Sequence, residues 1–201
     1  RGTKAKLHHN FGMARPEGYR KALRVMKLAE KYNIPIVTLI DTPGAYPGLG
    51  AEERGQAEAI ARNLFEMFKI KVPIINIIIG EGASGGALGI GIGDKLICLE
   101  NTWFSVISPE GCASILFRNS SRASEAANAM MVTANDLINM GIADLILPEP
   151  DGGAHLDYDK SAEILKNIIL DTISELSKVD FNTRIKKRNK KYQIMGKWLN
   201  G

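Results

Sequence analysis

Apolar and polar positions alternate along the first half of the chain with two different periods. The runs IPIVTLID (34–41), VPIINIII (72–79) and KLICLEN (95–101) are almost continuously apolar, whereas residues 16–32 and 51–69 carry apolar side chains at helical spacing. Near-continuous apolar strands separated by amphipathic helices are typical of parallel strands in a sheet that is covered on both faces. The pattern therefore predicts an α/β architecture, with a single helix over 51–69.

The second half of the chain is predicted to be mainly helical. Thr133 stands three residues before Asp136 and indicates a capping box, and Gly141 ends that short helix before a strand in IADLILPEP. Further helices are predicted over 109–117, 122–131 and 160–179. No repeat or long linker divides the sequence, so we expect one domain over residues 1–201 with a helical C-terminal region.

Composition narrows the class of protein. The chain has 201 residues, of which 45% are hydrophobic and 24% charged, as in a soluble domain with a sizeable core. No apolar run approaches the roughly 20 residues that span a bilayer. Cys98 and Cys112 form neither a C-x-x-C motif nor a disulfide framework, which favours a reducing, cytoplasmic compartment. His8, His9 and His155 have no cysteine partner at metal-ligand spacing, so no metal site is predicted.

The formal net charge of +4 is concentrated near the C-terminus. We interpret this cluster as a solvated basic helix face or tail, with attraction to phosphate as the alternative. A nucleic-acid partner is not favoured, since no motif of that kind accompanies the charges. The basic residues are Arg184, Lys186, Lys187, Arg188, Lys190, Lys191 and Lys197.

Residues 80–93, GEGASGGALGIGIG, follow a predicted strand and allow three interpretations. The first is a dinucleotide-binding turn, in which Gly80, Gly82 and Gly85 form G-x-G-x-x-G and Glu100 follows about twenty residues on. That fold needs a regular helix after the third glycine. The glycines that follow here disfavour one, since each costs about 1 kcal/mol relative to alanine.

The second interpretation is a nucleophile elbow, in which Gly82, Ser84 and Gly86 form G-x-S-x-G. Asp144 and His155 follow in the order that hydrolases of this type use. Against it, Asp144 begins a predicted strand, and small neighbours of a serine are more often required by a tight turn.

The third interpretation uses only backbone amides. The segment DTPGAYPG (41–48) also leaves the end of a predicted strand and is rich in turn-forming residues. If the two strands are neighbours, one N–H from each turn can bind a single oxygen. Such an oxyanion hole is worth about 3–4 kcal/mol per donor where water is excluded. The plainer alternative is that both segments are only tight turns.

Several motifs resemble those of a known family. AMMVTANDLINMGIADLILP (129–148) and FSVISPEG (104–111) are similar to segments of the crotonase superfamily of acyl-CoA enzymes. Within it, the sequence from about Asn10 to His155 resembles the carboxyltransferase alpha subunits of bacterial-type, multi-subunit acetyl-CoA carboxylases. The motifs NFGMARPEGYRKALR, DTPGAYPGLGAEERGQ, IGEGASGGALGIGIGDK and SVISPEGCASILF carry this resemblance.

The resemblance implies a crotonase-like fold, a spiral of ββα units, and transfer of a carboxyl group from carboxybiotin to acetyl-CoA. The product is malonyl-CoA, in the first committed step of fatty acid synthesis. The family's hole for the biotin ureido oxygen carries over to the backbone amides of Gly85 and Gly86 on one side and Gly44 and Ala45 on the other. Substrate contacts carry over to Gly82, Ser84 and Tyr46. Ala83 stands where the family often has glycine, which is tolerable unless that position needs a positive φ.

The resemblance also implies partners. Activity is expected only with a beta subunit, in an α2β2 assembly in which zinc is expected on beta alone. Biotin is expected on a separate carrier protein, because the sequence has no Met-Lys-Met biotinylation site, and ATP chemistry is expected on a separate biotin carboxylase. The family's chains have a helical segment before the core, so we expect this chain to be truncated at its N-terminus.

Two further classes of function stay open at this point. A crotonase-type hydratase or isomerase acting alone would need a carboxylate base, and Glu110 in SPEG is the candidate. A carboxylate there also suits the N-terminus of a helix that begins with Pro109. The second class is a non-catalytic assembly partner, since half of an active site does not turn over alone.

Overall fold

Parallel strands form the centre of the fold. The computed structural model describes residues 2–196, and within them the backbone forms five strands and ten α-helices. The strands are β1 (Ile36–Thr42), β2 (Ile74–Ala83), β3 (Lys95–Leu99), β4 (Trp103–Ser105) and β5 (Leu145–Leu147). The helices are α1 (Thr3–His8), α2 (Pro16–Lys31), α3 (Leu49–Glu53), α4 (Gln56–Met67), α5 (Ser84–Leu88), α6 (Pro109–Leu116), α7 (Ala123–Met130), α8 (Ala134–Asn139), α9 (Tyr158–Ser177) and α10 (Phe181–Gln193).

The sheet has the order β1-β2-β3-β5, and every strand pair in it is parallel. β2 is the longest strand, and it has different neighbours along its length. Its first half pairs with β3, and its last residues, Glu81–Ala83, pair with β4. The predicted parallel sheet is confirmed, and β2 continues through the first glycines where the sequence predicted a turn.

Helices cover both faces of the sheet. On one face, α2 and α4 pack against Ile36 and Ile74, and α8 packs against Leu96 and Cys98 farther along. On the other face, α9 packs against residues of β2, β3 and β5, namely Ile75, Ile77, Ile97, Leu99 and Leu147. The predicted long helix, the capping box of Thr133 and Asp136 and the helical second half are confirmed.

The single helix predicted over 51–69 is wrong. α3 ends at Glu53, and Gly55 adopts φ +76° before α4 begins at Gln56. A left-handed residue cannot continue a right-handed helix, so the chain changes direction there. The break gives α4 an orientation independent of α3.

The interpretation of the C-terminal charges as a solvated face is wrong for two arginines of α10. Arg184 and Arg188 are only 7% and 1% exposed. Arg188 donates to both carboxylate oxygens of Asp94, at 2.9 and 2.8 Å, and to the carbonyls of Met67 and Ile70. Carbonyls at the end of α4 and before β2 have no partner within their own elements, and this guanidinium satisfies them. Lys197 lies outside the described residues.

A buried thiol and a buried phenol hydroxyl predict that the protein loses stability at alkaline pH. Burial raises the pKa of the Cys98 thiol from 9.0 to about 11 and that of the Tyr19 hydroxyl from 10.0 to about 12. The folded state therefore keeps these protons at a pH where the unfolded chain has lost them, so the free energy of unfolding falls as pH rises from about 9 to 11. Urea titrations of Cys98→Ala should show a shallower fall over this range. An unchanged slope would contradict the assignment to Cys98.

Within residues 2–196, no helix combines the length and the apolar character needed to cross a bilayer.

Candidate functional site

The two glycine-containing turns meet at the carboxyl ends of β1 and β2. These strands are parallel neighbours with Thr42 opposite Gly82, so the turns that follow them leave the sheet side by side. A Cβ atom built on Gly86 would lie 2.3 Å from the carbonyl carbon of Gly44 and 2.6 Å from the nitrogen of Ala45. Only glycine permits this approach of two backbones. The pairing of β1 with β2 meets the condition of the amide hypothesis, which required the two strands to be neighbours.

The first turn, after β1, is fixed by Thr42. Its hydroxyl oxygen lies 2.8 Å from the carbonyl oxygens of both Gly12 and Gly44, either of which can accept its single proton, and it accepts a hydrogen bond from the Gly44 N–H at 3.2 Å. Gly44 has φ +148°, a conformation that other residues rarely adopt. The amide of Gly44 is thus engaged within the turn. Among the described residues, the Ala45 N–H makes no such hydrogen bond.

The second turn is the junction of β2 and α5, since β2 ends at Ala83 and α5 begins at the next residue, Ser84. A helix leaves the N–H groups of its first residues without intrahelical acceptors, so the amides of Gly85 and Gly86 are available. Ser84 itself is left-handed, with φ +58°. Ala83 has φ −116°, so alanine is compatible with its position. At five residues, α5 is too short for the dinucleotide interpretation, which requires a regular helix.

An apolar cavity of about 360 Å³ adjoins this site at Ser84. Its lining comes from α5, β4 and the segments around α6, α7 and α8. Several of the lining side chains are unbranched or sulfur-containing and adapt readily to a ligand's shape. The sulfur-containing ones are Cys112, Met130, Met131 and Met140, and the lining also includes Leu88 and Phe104.

The hydrolase interpretation is not supported by the placement of its residues. Asp144 accepts hydrogen bonds from the Leu96 N–H at 2.7 Å and from the Lys191 ammonium group. His155 lies beside Gly153 and Glu149, where it lines a different cavity from Ser84. No hydrogen bond joins Ser84, Asp144 and His155 within the described part of the chain. Asp144 instead ties β3 to α10.

The other candidate residues occupy different surroundings. Glu110 is exposed in the first turn of α6, where Ser108 caps the helix, so its position suits a helix N-terminal carboxylate. The Tyr46 ring lies under the Arg15 guanidinium, 4.4 Å from its carbon atom, and is half-buried. Gly82 lies within β2 opposite Phe104, and a Cβ there would come within 2.6 Å of that ring.

Both turns are supported by buried polar side chains that were not predicted from the sequence. Tyr19 is 3% exposed, and its hydroxyl donates to the Gly86 carbonyl at 3.4 Å. Gln56 and Asn63, on α4, donate to carbonyls beside the first and second turn. A signal existed, because both amides fall on the apolar side of an amphipathic helix, where a polar residue needs a buried partner.

Comparison with known families decides the affiliation of the chain. A family model described as "Acetyl co-enzyme A carboxylase carboxyltransferase-like" matches residues 1–196. The chain belongs to this family. The match extends over all ten helices and five strands described above.

Curated relatives agree with the family. The acetyl-coenzyme A carboxylase carboxyl transferase subunit alpha of Chlorobium luteolum is 57% identical over 198 residues, which are 98% of this chain and 59% of the relative. The protein of the same name from Pelodictyon phaeoclathratiforme is 58% identical with the same coverage. This chain therefore spans about three-fifths of the length of these relatives.

Solved structures show the same crotonase-like fold at low identity. The Pseudomonas malonate decarboxylase hetero-tetramer in complex with coenzyme A matches with a TM-score of 0.65 and 17% identity, over 82% of this chain and 67% of that one. Transcarboxylase 12S, with methylmalonyl-coenzyme A bound, matches with a TM-score of 0.63 and 23% identity, over 68% of this chain and 29% of that one. The expected α/β crotonase-like fold is thereby confirmed.

Proposed function

We propose that this chain provides the carboxyltransferase alpha component of an acetyl-CoA carboxylase and helps to transfer a carboxyl group from carboxybiotin to acetyl-CoA. One observation carries the proposal: Gly86 abuts Gly44 and Ala45 so closely that the two amide-bearing turns form one site. Family membership supports the choice of reaction. Malonyl-CoA is the product, and we place the reaction at the start of fatty acid synthesis in the cytoplasm.

The chemistry assigned to this chain is binding of an oxyanion. Carboxybiotin supplies the carboxyl group, and loss of that group leaves negative charge on its ureido oxygen. The Ala45 N–H and the first amides of α5, from Gly85 and Gly86, are the donors that we assign to that oxygen. Because these amides are fixed before the reaction, they stabilise the developing charge without reorganisation.

The residues around the amides fit a biotin ring system. The cavity beside Ser84 is lined mainly by apolar side chains, which suit the non-polar part of the ring, while the amides suit its ureido oxygen. We assign substrate contacts to Gly82, Ser84 and Tyr46. We propose one carboxyltransferase domain over residues 1–201.

The thioester half of the site is proposed to come from a zinc-containing beta subunit in an α2β2 assembly. Biotin would arrive on a carrier protein, after carboxylation by a separate biotin carboxylase. No covalently bound cofactor is proposed for this chain.

The proposal is tested by running the reaction in reverse, as decarboxylation of malonyl-CoA in the presence of free biotin. The chain is assayed alone and with the beta subunit of a relative such as that of Chlorobium luteolum. We expect biotin-dependent activity only in the mixture. Turnover of an acyl-CoA by the chain alone would favour the hydratase with Glu110 as its base. Failure of a folded complex to act would contradict the proposal.

Ser84→Ala separates the proposal from a serine hydrolase. We expect this variant to keep kcat within about threefold, because we assign the chemistry to the amides and, within residues 2–196, no hydrogen bond joins a base to the hydroxyl. Loss of a nucleophilic serine would lower kcat on the order of 10⁶-fold. Ser84→Gly, which relieves the left-handed backbone, serves as the control for strain at this position.

A further inference from the structure

Two buried carboxamides on α4 each connect one amide-bearing turn to α2 or to the segment before it. Gln56 is 4% exposed and Asn63 is fully buried. They are seven residues apart, so they lie on the same face of α4, about 10 Å apart along its axis. Ala59 and Met67 complete this buried face. Gln56 and Asn63 are therefore the polar residues of a buried helix face whose other members are apolar.

The Gln56 amide group serves the first turn. Its Nε2 donates to the Ala14 carbonyl at 2.9 Å and to the Tyr46 carbonyl at 3.0 Å. Ala14 and Ala45 form an isolated parallel bridge, in which the Tyr46 N–H donates to Ala14. Gln56 thus links the two segments that pair at the Ala14–Ala45 bridge. Ala45 is the residue of this bridge whose amide we assign to the oxyanion.

The Asn63 amide group serves the second turn in the same way. Its Nδ2 donates to the Tyr19 carbonyl at 3.0 Å and to the Gly89 carbonyl at 2.9 Å. Gly89 immediately follows α5, which is short and glycine-containing and has little helical propensity of its own. Asn63 therefore fixes the C-terminal end of the helix in which Gly86 lies against the first turn.

The carboxamide oxygens show that donation is the function of both groups. Gln56 Oε1 and Asn63 Oδ1 are buried and accept no hydrogen bond among the described residues. Leaving such an acceptor unpaired is unfavourable, so the favourable contribution of each buried amide lies in its donors. All four donated hydrogen bonds go to main-chain carbonyls of the two turns or of the α2 segment that runs beside them.

We propose that Gln56 and Asn63 are positioning residues that set the separation of the two halves of the oxyanion hole. This inference rests on the proposed function, and it adds a device that acts through the backbone. α4 works as a rigid spacer, since its two amide groups hold the turns at a distance fixed by the helix. A displacement of about 1 Å in such a site lowers the rate on the order of 100-fold.

The test replaces each amide by its isosteric acid, Gln56→Glu and Asn63→Asp, in the complex with the beta subunit. Each acid keeps the shape but cannot replace both donated hydrogen bonds, because an ionised carboxylate has no donor and a protonated one has a single O–H. We expect kcat to fall about 10- to 100-fold with KM within about twofold, because the turns are displaced while the cavity is retained. Gln56→Asn, which keeps the amide but shortens its reach by one methylene, is the second variant should an acid prevent folding.

Met67→Ala is the matched control, since Met67 is buried on the same face of α4 but packs in the core with Ile70 and Ile74. It should lower the melting temperature at least as much as the acids do, with kcat within about twofold of the wild type. A folded Gln56→Glu or Asn63→Asp variant with wild-type kcat would overturn the inference. So would an equal loss of kcat in Met67→Ala.

Hydrogen exchange gives a readout that does not depend on activity. We expect faster exchange in residues 42–48 only for Gln56→Glu, and in residues 84–90 only for Asn63→Asp. If the wild-type complex fails to decarboxylate malonyl-CoA but this segment-specific pattern is found, the proposed function fails while the positioning role stands. Unchanged exchange in both segments would overturn the positioning role.

Discussion

Gly86→Ala is expected to lower carboxyl transfer at least about 100-fold while the protein stays folded. The added Cβ would lie 2.3 Å from the Gly44 carbonyl carbon, so the backbones of the two turns must move apart. The amide of residue 86 is still present, but the amides no longer converge on one point, which is equivalent to losing a donor. The decarboxylation assay with the beta subunit measures the effect, and circular dichroism confirms folding.

Gly85→Ala is the matched control for this experiment. A Cβ on Gly85 would meet only the Ile60 side chain, at 3.5 Å, which is ordinary van der Waals contact. Both variants add one methyl group to adjacent residues of α5, so they differ mainly in the contact with the first turn. Equal activity of Gly85→Ala and Gly86→Ala would show that convergence of the two turns is not required.

Arg188→Met is expected to lower the free energy of unfolding by about 3–5 kcal/mol, the usual effect of removing one partner of a buried ion pair. Asp94 would remain, with its side chain only 4% exposed and its ion-pair partner removed. The carbonyls of Met67, Ile70 and Val72 would lose their donors as well. Urea unfolding of the purified chain measures the difference.

Lys186→Met provides the comparison for this variant. Lys186 is exposed on the same helix, so losing its charge should change stability by no more than about 0.5 kcal/mol.

Adding Asp94→Asn to Arg188→Met should cost less than the sum of the two single changes, because the pair is then removed together. If Arg188→Met unfolds at the wild-type urea concentration, the basic helix is not anchored by this residue.

The strands and most helices were predictable because their signals are local. Apolar runs predicted β1, β2 and β3, and the spacing of Thr133 and Asp136 predicted the cap of α8. The contact between Gly44 and Gly86 was predictable only on the condition that their strands are neighbours. That condition depends on pairing between segments about 40 residues apart, which no local pattern contains.

The burial of charged and polar residues could not be predicted in the same way. Arg188 stands in a run of basic residues typical of a surface, but its acceptors are 94 to 121 positions away along the chain. Gln56 and Asn63 lie in a helix that is well formed by its own sequence. Their roles depend on carbonyls that only the folded chain brings within reach.

The proposed site of main-chain amides has a consequence for how the chain can vary. Every substitution except proline keeps an N–H at positions 45, 85 and 86, so no ordinary replacement deletes a donor. A replacement at Gly86 acts through the room that it takes beside Gly44. Damage there should therefore rank by side-chain volume rather than by polarity or charge. At these positions, we expect activity to depend on the size of the side chain more than on its functional group.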